Sequence, residues 1–456
     1  MWDEGVARPW GEHVIVWDGG VARPWGERLN LDKKHGHFCS VSFFQFCSVA
    51  DTRADGTCAR WECPLGSRSL FAIPRRCPRI LMQIPLFKRI PWDRVNWTTS
   101  IFLAIINTLA VTAVPLYIWF FGLDWFQFGL FLFFYIATGL SITLGYHRLF
   151  SHLSFKAKAP VRFLTAVFGA CAFENTILDW CSDHRKHHKH VDHEDDPYDI
   201  SKGFIWAHIG WLLFKLAPEP PMDNVNDLRR DKIVMWQHRW CIPMAFIVGF
   251  GAPTLLGFLW NGAAGALGGF LLAGVFRVFA VQHSTFFINS MCHTVGNQPY
   301  SARCSARDSA IMALFTFGEG YHNYHHEFQH DYRNGVKPTN FDPTKWTIWT
   351  LEKLGLVSDL RRVPAEKILL AEMGEARRRA EITMQEPETI AAAFGHQMHD
   401  MLTHLSQRMA DNYASLEKAM ADQAEISRQA IDRWRKETRE FAALLTDLDR
   451  RMPQTA

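Results

Sequence analysis

The stretch Trp125–His152, WFQFGLFLFFYIATGLSITLGYHRLFSH, decides the fold. From Phe126 to Tyr146 only Gln127 is strongly polar, and the run then closes on two histidines and an arginine. About 20 mostly apolar residues cross a bilayer as a helix. The segment 126–146 therefore reads as a membrane span with histidines at its end. Three further runs, 101–121, 241–260 and 263–288, have the same character and carry a single arginine between them, Arg277. The links 122–125 and 261–262 hold no Lys or Arg, whereas 145–240 holds 13, and Lys88, Arg89 and Arg94 precede the first run. By the positive-inside rule the four spans form two hairpins, with both termini and the long connection on the cytoplasmic side. The expected fold is an all-α integral membrane protein of four transmembrane helices with a cytoplasmic helical cap. Within the cap, 161–180 and 204–216 read as helices lying in the interface. Arg277, a charge inside a span, reads as an internal anchor on carbonyls or carboxylates of a neighbouring helix.

Composition supports the class. The 456 residues are 48% hydrophobic and 14% aromatic, with 49 Lys+Arg against 46 Asp+Glu. That near-neutral balance argues against a nucleic-acid partner, and the apolar content against a disordered chain. Ten cysteines form no CxxC pair, so neither a disulfide framework nor a zinc ribbon is indicated. The 21 histidines are the feature to explain.

Nine of them fall in four places at the cytoplasmic ends of the spans. His147 and His152 (HRLFSH) end the second span. His184, His187 and His188 (HRKHH) follow the first interfacial stretch. His293, with Asn289 before it (NSMCH), follows the fourth span, and His322, His325 and His326 (HNYHH) lie further on. Chance predicts roughly 0.04 H-x-x-H-H matches in such a chain, and there are two. Positions i, i+3 and i+4 share a helix face, so each triplet aims three imidazoles together. His147 and His152 are five apart, about 140° around an ideal α-helix, so the helix has to end or distort between them. Nine imidazoles exceed one metal's capacity, which points to two adjacent metals. Imidazole accepts iron, zinc, copper or nickel, so ligand type alone leaves the metal open. Nine neutral donors at a membrane surface suggest redox chemistry on an apolar substrate. A metal transporter would instead place its ligands near the bilayer midplane. The remaining histidines, among them His208, His283 and His330, read as structural or solvated. His190 and His193 run past the helical face of the second cluster and are left out. The acidic run Asp192–Asp199 reads as a solvated turn and capping region rather than as ligands.

At these residues the chain resembles the membrane-bound fatty acyl desaturases of the stearoyl-CoA Δ9 type. The resemblance covers about Met82 to Val363. The wider wording, GYHRLFSH, DWCSDHRKHHKHVDHEDDPYD, NSMCHTVGNQPYS and FGEGYHNYHHEFQHDYRNG, is similar to that of bacterial members. It implies two iron ions and O2-dependent insertion of a cis double bond, at Δ9, into a saturated acyl chain. It further implies that one iron takes His147, His152, His184, His188 and His325, and the other His187, His293, His322 and His326, with Asn289 reached through a water. A lipid hydroxylase with the same metal architecture is the alternative. Where animal acyl-CoA enzymes have W-A-R-D-H, this chain has Trp180-Cys181-Ser182-Asp183-His184. The missing arginine leaves acyl-CoA, acyl-carrier and lipid-linked substrates open. No HPGG-type haem-binding segment is present, so electrons are expected from a separate donor, a ferredoxin or a cytochrome b5-like protein. The resemblance to bacterial members implies a bacterial inner membrane as the location.

The ends read differently. Trp2–Glu12 and Trp17–Glu27 match at 10 of 11 positions. Residues 1–81, with five cysteines and no periodic apolar face, read as a disordered or mis-started extension. In 365–456 apolar residues recur at steps of three and four from Phe394 to Leu448. They predict a long amphipathic helix or coiled coil and a candidate surface for self-association.

Overall fold

The computed structural model describes residues 91–215, 222–385 and 395–451, all within the unit Gln83–Ala456. The N-terminal repeat, its cysteines and Phe394 lie outside the described residues. Among the described residues three helical segments are long and apolar enough to cross a membrane: α1 (Trp97–Phe121), α2 (Trp125–Ser151) and α5 (Lys232–His293). Asn96 caps α1 by accepting from the Thr99 amide, and Asp124 caps α2 by accepting from that of Gln127. The link between them turns at Gly122, whose φ of +77° suits a residue without a side chain.

The 62-residue α5 is folded back on itself. Asn261 (φ −146°) and Gly262 (φ +54°) leave the helical region, and beyond them the chain returns along its first arm. The arms touch backbone to backbone. A side chain at Gly257 would collide with the Gly265 carbonyl, and one at Gly269 with that of Pro253. Arg277 holds the same pair of arms together. Fully buried, it donates to the carbonyls of Ala273 (3.1 Å), Gly249 (2.6 Å) and Cys171. Gly249 lies in a π-helical stretch, Ile247–Gly251, where widened turns free carbonyls for an outside donor. The carbonyl anchor expected for Arg277 is what the structure contains.

Between the spans lie α3 (Ala159–Ala170) and α4 (Ile177–His190). The interfacial stretch expected as one helix over 161–180 is thus broken at 171–176, where Phe173 and Asn175 both take positive φ. The stretch 204–216 holds one short helical segment, π-helical over Trp206–Gly210 and α-helical over Trp211–Leu213. After α5 come α6 (Ala310–Phe315), α7 (His322–Glu327) and α8 (Pro343–Lys353). A two-residue antiparallel pair, Lys156–Ala157 with Val357–Ser358, ties the end of the cap back to the segment after α2.

The C-terminal part is not one long helix. It comprises α9 (Ala365–Thr383), α10 (His396–Ala421) and α11 (Arg428–Arg451). Leu402, Met409 and Leu416 of α10 pack with Leu369 and Met373 of α9 and with Phe441, Leu445 and Leu448 of α11. The apolar stripe read as open to a partner is covered by the chain's own helices.

Candidate metal centre

Local backbone geometry explains how residues far apart in sequence converge. The end of α2, Ser141–Ser151, is π-helical, and the His152 amide donates to the His147 carbonyl at 3.0 Å, an i to i+5 bond. In a π-turn five residues make about one revolution, so His147 and His152 point the same way. This is the distortion their spacing required. Arg185, between the histidines of α4, donates to the carbonyls of Phe150 (2.9 Å) and Ser151 (3.0 Å) and pairs with Asp227. It clamps α4 to the end of α2 and sets His184 against His152.

The nine imidazoles form two groups: His147, His152, His184, His188 and His325, and His187, His293, His322 and His326. Within each group the candidate ligand atoms all lie within 4.8 Å of one another. Each helical triplet is divided rather than pooled. His184 and His188, one turn apart on α4, face the first group while His187 faces the second; α7 gives His325 to the first and His322 and His326 to the second. Asn289 is half-buried on α5, one turn before His293. His190 and His193 belong to neither group.

The Nε2 atoms face each other. His152–His184 is 2.8 Å, and His147–His325 and His188–His325 are both 3.0 Å. In the second group His322–His326 is 3.0 Å, His293–His322 3.1 Å and His187–His326 3.4 Å. Ligands about 2.1 Å from one ion, a usual metal–imidazole bond length, stand about 3.0 Å apart at right angles. The spacing therefore suits ligands converging on a shared ion. Burial, followed by the neighbouring imidazoles, lowers the pKa of His152, His184, His188, His322, His325 and His326 well below the ordinary value. Neutral imidazole is the form that binds a metal.

Outer partners fix several rings. His187 Nδ1 donates to Asp196 at 2.9 Å; burial would raise that carboxyl, but His187 holds it below its ordinary value. His293 Nδ1 lies 2.7 Å from Ser305 Oγ, which is itself held by Asp192. His147 Nδ1 is 2.9 Å from Glu319 Oε2. Such contacts leave Nε2 as the free lone pair and orient the ring. The reading of Asp192–Asp199 as a solvated turn and capping region holds at its exposed middle, 193–195, and at Asp199, which caps the next turn by accepting from the Ser201 amide; it is corrected at Asp196 and Asp199, which are buried, and at Asp192 and Asp196, which brace the imidazole shell. Behind Glu319 the fully buried Arg148 guanidinium donates to Glu319 Oε1, to both oxygens of Asp342 and to the Tyr332 carbonyl. Trp180 stacks on His184 at 4.8 Å between centroids, and its indole donates to Glu174. Sequence reading missed Glu319, Arg148, Asp342 and Ser305. Their one signal was proximity: Arg148 adjoins His147, and Glu319 precedes His322 by three residues.

A helical membrane protein carrying two convergent all-imidazole groups where its spans end belongs to the histidine-box class of integral membrane proteins. Residues 123–334 match the model of the fatty acid desaturase family. The chain is 44% identical over 237 residues to the probable acyl-CoA desaturase of Schizosaccharomyces pombe, covering 52% of this chain and 49% of the relative. It is 40% identical over 280 residues to acyl-CoA desaturase 1 of Saccharomyces cerevisiae, covering 60% and 54%. It is 33% identical over 314 residues to the Delta(9)-fatty-acid desaturase fat-7 of Caenorhabditis elegans, covering 67% and 90%. The chain spans about half the length of the two yeast relatives. It belongs to the fatty acid desaturase family.

Proposed function

We propose that this chain inserts a cis double bond, at Δ9, into a saturated fatty acyl chain. A CH2–CH2 unit, O2, two electrons and two protons become CH=CH and two waters. The observation that carries the reading is the convergence of nine imidazoles into two groups beside apolar spans. His147, His152, His184, His188 and His325 would hold one iron. His187, His293, His322 and His326 would hold the other, with Asn289 acting through a water. Two irons supply the O2 activation needed to take hydrogens from an unactivated carbon. The chain's own part is positional: Asp196, Ser305 and Glu319 orient rings, and Trp180 and the surrounding apolar walls keep water out.

The named relatives favour acyl-CoA over lipid-linked substrate. The electron donor in this reading is a separate ferredoxin or cytochrome b5-like protein. The two arms of α5 count as two spans, giving four, with the cap and both termini on the cytoplasmic side. The relatives named are fungal and animal and lend nothing to a bacterial inner membrane. The catalytic body is assigned to 82–364, with 1–81 and 365–456 as extensions; any self-association would use outer faces of α9 to α11.

Expression in an iron-supplied host, followed by gas chromatography–mass spectrometry of derivatised fatty acid methyl esters, tests the proposal. A new monounsaturated product with about two irons per chain is expected. A hydroxylated product would transfer the chain to the hydroxylases. His187→Ala and His325→Ala should each abolish product while leaving membrane insertion intact.

A further inference from the structure

The short helix α6 exposes three large apolar side chains on one face, Ile311, Leu314 and Phe315, while Met312 and Ala313 are buried behind them. The spacing i, i+3, i+4 is one stripe of a helix. α6 belongs to none of the membrane-spanning segments, yet it packs against the second arm of α5. Its depth can be worked out from Phe317, which follows it. Phe317 takes φ +55° and drives its ring against α2: a side chain at Gly139 would run into that ring, and the Tyr135 ring packs against it at a tilt, 5.3 Å between centroids.

α2 serves as a ruler. Its start, Trp125, pairs with Trp260 at 5.0 Å between centroids, at the end where both hairpins turn. Paired tryptophans mark a headgroup boundary. From Trp125, at 1.5 Å per residue, Tyr135 stands ~15 Å and Gly139 ~21 Å along the helix, and tilt only shortens those depths. The hydrocarbon core is about 30 Å thick. Phe317 is therefore rooted inside the leaflet nearer the imidazoles. Phe315, two residues away, can stand at most ~7 Å higher. α8 sits nearer the boundary: Thr344 meets Thr143 at 2.7 Å, and the exposed Trp346 and Trp349 stand beside Lys353, whose ammonium lies 5.6 Å from the Trp349 ring. Exposed tryptophans with a flanking lysine are the headgroup-level pattern.

We infer that α6 is a non-spanning helix inserted among the acyl chains of the leaflet nearer the imidazoles, with Ile311, Leu314 and Phe315 as its lipid-facing side chains. The inference rests on the bilayer placement of α2 and α5. Its consequence is local. The back of α6 lies on the segment leading into α7, where the Ser309 amide donates to the Gly320 carbonyl at 2.8 Å and that of Gly318 to Ala313 at 2.9 Å. Lipid contact is thus rigidly joined to the backbone two residues before His322.

The test places p-benzoylphenylalanine singly at Phe315, Leu314, Phe128 and Met401 of the full chain, in vesicles of phosphatidylethanolamine and phosphatidylglycerol. Irradiation is followed by mass analysis of lipid adducts. Phe128, exposed on α2, reports the span itself, and Met401, exposed on α10, reports an aqueous site. The expected adduct yield at Phe315 or Leu314 is within about threefold of Phe128 and at least about tenfold above Met401. Adducts at Phe128 with neither α6 position above Met401 would overturn the inference while leaving the span intact. No adduct at Phe128 would overturn the bilayer placement and α6 with it.

Discussion

Replacing Arg148 by methionine tests whether the carboxylates behind the first imidazole group are held by charge. The guanidinium is 1% exposed, and its partners Glu319 and Asp342 are 2% and 0% exposed. Its bonds run from 2.7 to 3.1 Å: two to Glu319, two to Asp342 and one to the Tyr332 carbonyl. Methionine fills similar volume but leaves two buried carboxylates without their cation. Removing one partner of a buried ion pair costs about 3–5 kcal/mol, because the remaining charge has nowhere to go. Here the loss is cushioned. Glu319 keeps Asn334 Nδ2 at 2.6 Å, and Asp342 keeps the amides of Asn334, Gly335 and Lys345. The lower end, about 3 kcal/mol, is therefore expected. Arg148→Lys keeps the charge but not the fork, and should lose roughly half as much. The triple variant Arg148→Met, Glu319→Gln, Asp342→Asn removes the stranded charges and should recover most of the loss, a non-additivity expected of groups in contact. The measurement is reversible unfolding in mixed detergent micelles, followed by circular dichroism. A single variant within about 0.5 kcal/mol of the parent, or a triple variant no better than the single, would refute the reasoning.

Asp196→Asn removes the carboxylate that accepts from His187 Nδ1 and should weaken metal binding in the four-imidazole group by about 10–100-fold; competition with a chelator reads this, and parental affinity would count against an orienting role. Gly257→Leu has no room beside the Gly265 carbonyl, so it should cost at least the 1–3 kcal/mol or so of an overpacked core, whereas the same change at Gly129, with open space around it, should be tolerated; equal effects in thermal unfolding would dismiss the close approach of the arms. Leu416→Ala, fully buried among α9, α10 and α11, should destabilise that packing by about 2–5 kcal/mol, read as earlier proteolysis of the C-terminal part, and unchanged proteolysis would argue that the three helices do not pack together. Burial pushes the Glu174 carboxyl up to about 8, against hydrogen bonds from Thr285 and Trp180 that lower it. Between its ordinary value and about 8 the folded protein keeps a proton that the unfolded chain has lost, so this group's contribution to stability falls as pH rises, by at most about 1.4 kcal/mol per unit. Glu174→Gln should therefore gain on the parent between pH 5 and pH 8, and a difference independent of pH would exclude the raised carboxyl.

What the residues themselves settled is whatever depends on short-range pattern. An uncharged apolar run of about 20 residues has the length of a helix across the bilayer, where a helix satisfies all its backbone groups within itself. Runs from 101 to 121 and from 126 to 146 therefore announced α1 and α2, and the short link Asn261–Gly262 between two more such runs announced the turn within α5. Five residues between His147 and His152 likewise required a departure from α-helical geometry. Its kind, a π-helical end held by Arg185, depended on carbonyls of Phe150 and Ser151 finding a donor 35 and 34 residues away. The bracing groups were hidden for the same reason. Asp196 looks like its acidic neighbours until the fold buries it against His187, and Glu319 acquires its meaning from His147 and Arg148, both more than 170 positions earlier. The apolar stripe of α10 was legible as a stripe. Whether another molecule or the chain's own α9 and α11 covered it was decided by tertiary packing, because burying an apolar face is non-directional and takes whatever complementary surface the folded chain supplies first.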